Sequence, residues 1–295
     1  MAHFFVITNT LSGSLIYYHS QRIDEFLKRA EYYTVENPNT FDNTDLTKLI
    51  ECILEHNDSI LFGPPGTGKT YLIDCVKDEI DKLNKLGLFQ EIQFHSNYSY
   101  YDFIEGIVPD VKTGGFEYRK GIFFTFLEKA KQIQLEDKNK ICLFAIDEIN
   151  RADITSVFGE IMNLIEDKGK RQLTTAKTHT EITVPSNVVI IGTMNTADRT
   201  LSKIDFALRR RFKFLAVYPN EQALYEMIAE NGGIDSSVGI TLEEYIKSFN
   251  VLNTKITRSP LLGKNLTLGH VLWVRKSAKN IMGPLSRPRS KVSGK

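Results

Sequence analysis

Short apolar runs alternate with helical stretches between residues 44 and 219, a pattern that predicts a parallel β-sheet covered by helices. Two segments that alternate polar and apolar residues, at 112–116 and 170–183, predict surface hairpins. Five buried runs bounded by turn residues or a helix predict the strands of one sheet, at 59–62, 91–95, 141–146, 188–192 and 212–217. The expected fold class is therefore α/β, a five-stranded parallel sheet flanked by helices.

The segments on either side of this pattern predict smaller parts of the chain. An amphipathic helix candidate at 21–33 precedes a polar Asn-Pro-Asn loop, and helical periodicity returns at 225–228 and 242–249. The last stretch carries seven basic residues and no acid, which is typical of a solvated tail, with attraction to nucleic acid as the alternative. We expect four parts: a helical leader and linker at 1–45, an α/β domain at 46–219, a small helical lid at 220–274 and a basic disordered tail at 275–295.

Composition narrows the class of protein without identifying a partner. The chain has 295 residues, 42% of them hydrophobic and 25% charged, as in ordinary globular proteins. Lysine and arginine number 37 against 36 acids, so the bulk charge does not indicate a nucleic-acid or membrane binder. The cysteines, Cys52, Cys75 and Cys142, lack the spacing of a zinc site and are interpreted as reduced core residues. No apolar run approaches the ~18 residues of a membrane span, so we expect a cytoplasmic protein.

The most specific chemical signal is a GxxxxGK(S/T) motif between a predicted strand and a predicted helix. Its residues are Gly63, Pro64, Pro65, Gly66, Thr67, Gly68, Lys69 and Thr70. The glycines let backbone N–H groups wrap phosphates, and the helix N-terminus adds partial positive charge. We expect Lys69 to neutralise the β- and γ-phosphates and the Thr70 hydroxyl to bind Mg²⁺, with ATP or GTP as the nucleotide.

Two adjacent carboxylates, Asp147 and Glu148, follow the predicted strand at 141–146. A hard dication prefers oxygen ligands, so Asp147 is expected to hold Mg²⁺ together with Thr70, directly or through water. Glu148 is placed to accept a proton from water that attacks the γ-phosphate. This pair predicts nucleotide hydrolysis as well as binding.

Asn195 follows the next predicted strand, at 188–192. If that strand lies beside the P-loop strand, Asn195 faces the γ-phosphate and orients the attacking water. The alternative is an NxxD motif in which Asp198 accepts a hydrogen bond from guanine. The strand-end position favours the phosphate-facing role, and the lysine usual at the second position of NxxD is Thr196 here.

Three consecutive arginines, Arg209, Arg210 and Arg211, end a short predicted helix. An arginine supplied across a subunit boundary stabilises the charge on a transferring phosphoryl group. A helix C-terminus also favours cations for structural reasons alone, so the pattern does not identify which arginine is catalytic.

Several motifs together closely resemble the McrB family, a branch of AAA+ proteins from modification-dependent restriction systems. They are the P-loop, Phe-His-x-x-Tyr-Ser-Tyr-x-Asp-Phe at 94–103, Asp-Glu-Ile-Asn-Arg at 147–151, Met-Asn-Thr-Ala-Asp-Arg at 194–199 and the segment 205–212. The combination is far more specific than a P-loop alone.

The resemblance implies a ring-forming NTPase, commonly a hexamer, whose sites lie between subunits. It also implies that a McrC-like nuclease stimulates hydrolysis, and that the complex translocates and cleaves DNA. By the same resemblance Asn195, Asp198 and Arg199 form a signature loop, and Arg209 to Arg211 contain the arginine finger. Asn150 and Arg151 are implied to reach a neighbouring subunit's nucleotide.

The chain also departs from that family. About 45 residues precede the motor pattern, so we expect DNA recognition to be absent or supplied by another chain. The lid reaches a family-like Leu268-Gly269-His270 segment, and its later helices are expected to be missing or replaced. Two alternatives stay open, namely a nucleotide-dependent scaffold with little hydrolysis and a MoxR-like protein remodeller.

Overall fold

The computed structural model describes residues 4–8, 15–19, 44–110, 113–175, 178–197, 206–230, 234 and 240–274. The chain divides into two compact units. One unit, which we call the nucleotide unit, comprises Asn43–Pro219 and Asn265–Val271. The other comprises Met1–Asp42, Asn220–Lys264 and Leu272–Lys295.

The described secondary structure alternates strands and helices. In chain order the strands are β1 (Phe4–Thr8), β2 (Leu15–His19), β3 (Ser59–Gly63), β4 (Leu86–Gln93), β5 (Glu105–Pro109), β6 (Phe116–Lys120), β7 (Ile141–Asp147), β8 (Leu173–Thr174), β9 (Glu181–Ile182), β10 (Val188–Asn195) and β11 (Lys213–Ala216). The α-helices are α1 (Thr44–Leu54), α2 (Lys69–Lys82), α3 (Tyr100–Phe103), α4 (Ile122–Glu136), α5 (Ile154–Phe158), α6 (Ile161–Glu166), α7 (Phe206–Arg211), α8 (Glu221–Glu230) and α9 (Leu242–Arg258). Two 3₁₀ helices span Ile149–Arg151 and Lys264–Leu266.

A five-stranded parallel sheet forms the centre of the nucleotide unit, in the order β11-β3-β10-β7-β4. The first six residues of β7 and the first seven of β10 are buried. Such continuous apolar runs are typical of parallel strands covered on both faces. The predicted α/β fold with five strands in one sheet is therefore confirmed.

The strand β4 differs from its predicted bounds, since it begins at Leu86 and ends at Gln93 instead of covering 91–95. Among the described strands it pairs only with β7 and lies at the edge of the sheet. Its residues are half-buried or exposed. An edge strand needs no continuous apolar run, so hydrophobicity alone placed this strand too late in the chain.

Helices cover both faces of the sheet. On one face, α1 and α2 contribute Leu49, Ile53 and Val76 to a buried cluster with β3, β7 and β10. The other face carries a phenylalanine cluster, in which the Phe103 and Phe123 rings stack at 4.7 Å between centroids. Phe144 of β7 meets Phe123 edge-on at 4.8 Å. Burial of these rings fixes α4 and the short α3 against the sheet.

Two antiparallel hairpins project from the nucleotide unit, β5–β6 and β8–β9, as the alternating segments predicted. Glu105 joins them, because its carboxylate accepts hydrogen bonds from the Tyr118 hydroxyl at 2.9 Å and the Thr178 N–H at 3.2 Å. The two hairpins are therefore tied together by one buried acid.

The N-terminal part of the chain contains an antiparallel hairpin, β1–β2, where the leader was expected to be helical. Both strands are rich in aromatic and β-branched residues, which favour strand structure over helix. The helix candidate at 21–33 and the basic tail at 275–295 lie outside the described residues.

The second unit contains α8 and α9. Thr241 caps α9 and forms a reciprocal capping box with Glu244. The Trp273 ring lies 5.7 Å from the Tyr245 ring and 5.6 Å from the Phe249 ring, which closes a small aromatic core. Residues 265–271, which we expected in the lid, instead group with the nucleotide unit through contacts that are described with the site.

A buried ion pair holds the start of β3. Asp58 accepts from Lys168 Nζ at 2.5 Å and from the Ile190 N–H at 2.7 Å. The Asp58 carbonyl also accepts from the Lys213 N–H at 2.8 Å. Burial raises the pKa of Asp58, and the charge of Lys168 opposes this rise. Asp58 therefore links the start of β3 to the strands on both of its sides, to β10 through its carboxylate and to β11 through its backbone carbonyl.

We predict that Lys168→Met lowers the free energy of unfolding by about 3–5 kcal/mol, because it leaves a buried carboxylate without its counter-charge. The double variant Asp58→Asn/Lys168→Met should lose less, since no unpaired charge remains. Urea unfolding measures both. Lys170→Met, at an exposed lysine of the same turn, is the matched control and should change stability by less than about 0.5 kcal/mol. Equal stability of Lys168→Met and the control would contradict the prediction.

Candidate active site

The P-loop connects the end of β3 to the start of α2. Gly66 and Gly68 have φ of 76° and 80°, in the left-handed region that L side chains rarely adopt. A Cβ on Gly63 would lie 1.9 Å from the Val217 carbonyl oxygen. The Thr67 hydroxyl donates to the Pro64 carbonyl at 3.1 Å, which closes the loop internally. The glycines of the motif are therefore required by the loop's own geometry.

Lys69 is buried, and its ammonium group is turned toward its own loop. It donates to the Gly63 carbonyl at 3.0 Å and to the Pro64 carbonyl at 2.8 Å. Burial lowers the pKa of Lys69 to about 8, while Glu148 and Asp147 act to raise it. The side chain therefore stays mostly protonated at neutral pH and is available to an anion that displaces the two neutral carbonyls.

Asp147 ends β7 among hydroxyl and amide donors. Its Oδ1 accepts from Thr193 Oγ1 at 2.5 Å and from Thr70 Oγ1 at 3.4 Å, and its Oδ2 accepts from Gln93 Nε2 at 3.3 Å. Thr70 and Asp147, predicted from distant motifs, are thus brought together. Two adjacent oxygens, one of them charged, are a donor set that suits a hard dication whose other ligands are phosphate and water.

Glu148 is fixed by contacts to both of its carboxylate oxygens. Oε1 accepts from Asn195 Nδ2 at 2.8 Å, and Oε2 accepts from Arg151 Nε at 2.6 Å. Its backbone has φ of 56°, and its N–H donates to Thr193 Oγ1 at 3.0 Å. Asn195 in turn pairs in register with Gly63 of the neighbouring strand. The predicted base and water-orienting residue therefore lie beside each other and next to the P-loop.

Arg151 was implied to reach a neighbouring subunit, yet here it pairs with Glu148 of its own chain. Arg151 follows Glu148 by three residues across a 3₁₀ turn, so the spacing of the two residues in the sequence already indicated that they could pair. Beside it, both polar side-chain atoms of Asn150 are buried without a hydrogen-bond partner among the described residues.

The three arginines of α7 have different surroundings. The Arg211 side chain is only 4% exposed, its Nε lies 3.2 Å from Glu166, and it donates to Asn163 Oδ1 at 3.2 Å. The Arg210 side chain is 67% exposed, with Nε 4.0 Å from Glu166, and Arg209 is exposed as well. Asp198 and Arg199, the other residues of the signature loop that the resemblance implies, lie outside the described residues.

Sequence reasoning missed the contribution of residues 265–271, which we call the return segment. The Val271 N–H donates to the Gly66 carbonyl at 3.0 Å, and the Thr196 hydroxyl donates to the Asn265 carbonyl at 2.9 Å. His270 is buried against Gly68. The Leu268-Gly269-His270 motif was visible in the sequence, but nothing in its spacing indicated that it packs on the P-loop.

Other site types receive no support from the described part of the chain. It contains no group of three or more His, Cys, Asp or Glu side chains arranged to hold a metal ion. None of its helices is both long and apolar enough to span a bilayer. The three cysteines are free thiols, two of them buried and Cys75 half-buried.

Comparison with known proteins agrees with the geometry. Residues 58–212 match the family model described as AAA domain (dynein-related subfamily). The chain is 34% identical over 267 residues to the type IV methyl-directed restriction enzyme EcoKMcrB subunit of Escherichia coli K12, covering 87% of this chain and 56% of that protein. It is 26% identical over 194 residues to the type II restriction enzyme BsuMI component YdiS of Bacillus subtilis 168, covering 52% of this chain and 55% of that protein.

The chain thus spans about half the length of the curated relatives it matches. The matched model covers the P-loop, both acids and the Asn195 strand, which lie together in the site, and it extends through α7. The chain belongs to the AAA domain family, dynein-related subfamily, as a nucleotide-binding AAA+ protein that resembles McrB of restriction systems.

Proposed function

We propose that this protein hydrolyses ATP or GTP at the P-loop site. The observation that carries the proposal is the contact between Glu148 and Asn195 at 2.8 Å. Glu148 directly follows Asp147, and Asn195 pairs in register with Gly63 of the P-loop. A site that only binds nucleotide has no need for a carboxylate positioned by an amide at this point.

Each residue of the site has its own role in the proposed reaction. The loop N–H groups and Lys69 bind the phosphates, while Thr70 and Asp147 would hold Mg²⁺, which neutralises phosphate charge when bound. Glu148 takes a proton from water as the water oxygen bonds to the γ-phosphorus, and the bond from that phosphorus to the β-phosphate oxygen breaks. Inorganic phosphate and the nucleoside diphosphate are the products. Asn195 keeps Glu148 in place for this step.

The site is completed between subunits of a homo-oligomeric ring, with a hexamer as the expected form. The exposed Arg209 and Arg210 are the finger candidates, because Arg211 is already engaged with Glu166 and Asn163 of its own chain. An exposed guanidinium can reach the phosphates of a neighbouring subunit without breaking a buried ion pair.

The ring acts with a McrC-like nuclease on DNA, in a restriction or defence complex. The names of both relatives, a restriction enzyme subunit and a restriction enzyme component, support this assignment. The second candidate is a scaffold that assembles such a nuclease without nucleotide turnover. The Glu148–Arg151 ion pair favours it, because Arg151 binds an oxygen of the carboxylate that hydrolysis would need as the base. A pull-down that recovers a protein client and no nuclease would favour a remodeller instead.

Phosphate release with ATP and with GTP tests the hydrolysis. We predict that Glu148→Gln lowers kcat about 10²- to 10⁴-fold while nucleotide binding and assembly persist, because only the base is lost. Lys69→Ala should lose binding itself. Lys82→Ala, at an exposed lysine at the end of the same helix, is the matched control and should behave as wild type. Assembly with nucleotide but no turnover by the wild type, at any protein concentration, would support the scaffold.

Substitution of Asn195 tests its positioning role. We predict that Asn195→Ala lowers kcat by about 10²-fold with little change in KM, because Glu148 and the attacking water lose their orientation while the phosphate contacts remain. Steady-state kinetics separate the two parameters. Asn139→Ala, in an exposed turn before β7, serves as control. A rise in KM at constant kcat would instead assign Asn195 to binding.

Mixing inactive variants tests the arginine finger. We predict that Arg209→Ala or Arg210→Ala abolishes turnover alone and regains part of it when mixed with Glu148→Gln. Mixed rings contain interfaces in which an intact Glu148 faces an intact arginine of the other subunit. Phosphate release across mixing ratios is the measurement. If neither arginine variant is rescued, neither Arg209 nor Arg210 acts as a finger in trans.

A further inference from the structure

The strand β10, all of which lies in the described part of the chain, carries one hydroxyl group, that of Thr193. Thr193 is 2% exposed and follows the apolar residues 188–191 and Gly192. Valine has the same shape and a similar preference for strands, and it would avoid the cost of burying a polar group. Packing alone therefore gives no reason for threonine at this position, and the hydroxyl has to be explained by its contacts.

The Thr193 hydroxyl makes a hydrogen bond with each of the two adjacent acids. It accepts from the Glu148 N–H at 3.0 Å, and its oxygen lies 2.5 Å from Asp147 Oδ1. A hydroxyl has one proton, and a backbone N–H can only donate. The hydroxyl proton is therefore directed at the Asp147 carboxylate, while a lone pair of the same oxygen faces the backbone of Glu148.

Asp147 is oriented mainly by this contact. Its other hydrogen bonds to described residues are longer, at 3.4 Å from Thr70 Oγ1 and 3.3 Å from Gln93 Nε2, and both of these side chains are exposed. A short hydrogen bond from a buried donor fixes a carboxylate better than a long one from an exposed side chain. Partners of this kind orient metal ligands, and their loss typically lowers metal affinity by about 10- to 100-fold.

Glu148 depends on the same hydroxyl through its backbone. Its φ of 56° lies in the left-handed region, which is strained for a residue with a side chain. The hydrogen bond from its N–H to Thr193 helps to hold this conformation. The Glu148 carboxylate then meets Asn195 at 2.8 Å, on the strand that also carries Thr193. The direction of the Glu148 side chain therefore depends on the backbone contact as well as on Asn195.

We propose that Thr193 is a positioning residue of this site, whose hydroxyl orients Asp147 for Mg²⁺ and the backbone of Glu148 for proton transfer from the attacking water. The proposal rests on the proposed function, because the two acids have these roles only there. Thr193 acts through the acids and not on the nucleotide itself. It precedes the Met-Asn-Thr-Ala-Asp-Arg motif by one residue, so it lies outside the motifs that the sequence suggested.

The first test compares nucleotide affinity with Mg²⁺ and with EDTA, measured by calorimetry on the non-hydrolysable analogues AMP-PNP and GMP-PNP. Thr193→Val removes the hydroxyl at constant shape, and we expect it to weaken binding about 10- to 100-fold with Mg²⁺ and to leave binding in EDTA unchanged. Thr193→Ser keeps the hydroxyl and should bind as wild type does. Thr125→Val, which removes a half-buried hydroxyl from α4, is the matched control. Wild-type affinity of Thr193→Val with Mg²⁺, or an equal loss in EDTA, would overturn the proposal.

Steady-state phosphate release at saturating Mg²⁺ and nucleotide tests the contact with Glu148. We expect Thr193→Val to lower kcat by about 10- to 100-fold, because the Glu148 backbone loses its acceptor and the carboxylate is misplaced. Thr193→Ser should recover most of the rate. An unchanged kcat in Thr193→Val would overturn the positioning of Glu148.

Hydrogen exchange in the unaltered protein does not depend on the folding of a variant. The Glu148 amide should exchange slowly, because it is bonded to a buried hydroxyl, and rapid exchange in the folded protein would overturn the contact. If wild type binds equally with Mg²⁺ and in EDTA and releases no phosphate, the proposed function fails. Exchange of the Glu148 amide then still decides whether Thr193 holds that backbone.

Discussion

The parallel pairing of β10 with β3 on one side and β7 on the other is the constraint on which the site depends. It brings Asn195 level with Gly63 and Gly192 level with Ile146, so the P-loop, the two acids and the amide emerge at one edge of the sheet. A shift of one residue would turn every side chain of β10 to the opposite face. Because β10 is buried up to Met194 and apolar as far as Gly192, its register is set by packing and by the two polar residues near its end, Thr193 and Asn195.

The hydrogen bonds at that edge make the site a connected network. Thr193 joins the Asp147 carboxylate to the Glu148 backbone, and Glu148 joins Asn195 to Arg151. Both carboxylate oxygens of Glu148 are thereby engaged within the chain. In the hydrolysis that we propose, water needs access to this carboxylate, so the contact with Arg151 would have to loosen before turnover, whereas the contact with Asn195 would keep the same group in position. The left-handed backbone of Glu148 is a local strain of the kind that functional sites retain.

Local sequence was enough to predict which residues lie together wherever a motif ends a buried strand. The P-loop, Asp147, Glu148 and Asn195 all meet this condition, because parallel strands bring their carboxyl ends together whatever the rest of the chain does. Long-range packing decided the remainder. The inward turn of Arg211 depends on Glu166 and Asn163, and His270 belongs to the nucleotide unit although α8 and α9 of the other unit precede it in the chain. No spacing rule contains such contacts. The predicted bounds of β4 were wrong for a related reason, since an edge strand lacks the apolar run that marks a central one.

Nucleotide binding and turnover depend on different parts of this structure. The loop is already held in shape by its glycines, by Thr67 and, from outside, by the Val271 contact with Gly66, so little ordering remains to oppose phosphate binding. Lys69 has only to exchange two carbonyls for phosphate oxygens, which are stronger acceptors. The carboxylate that we propose as the base, Glu148, is in contrast bound by the charged Arg151 at 2.6 Å. Under the proposed mechanism, whatever separates Arg151 from Glu148, whether the nucleotide itself or an adjoining subunit of the proposed ring, would therefore act on the rate of hydrolysis more than on affinity.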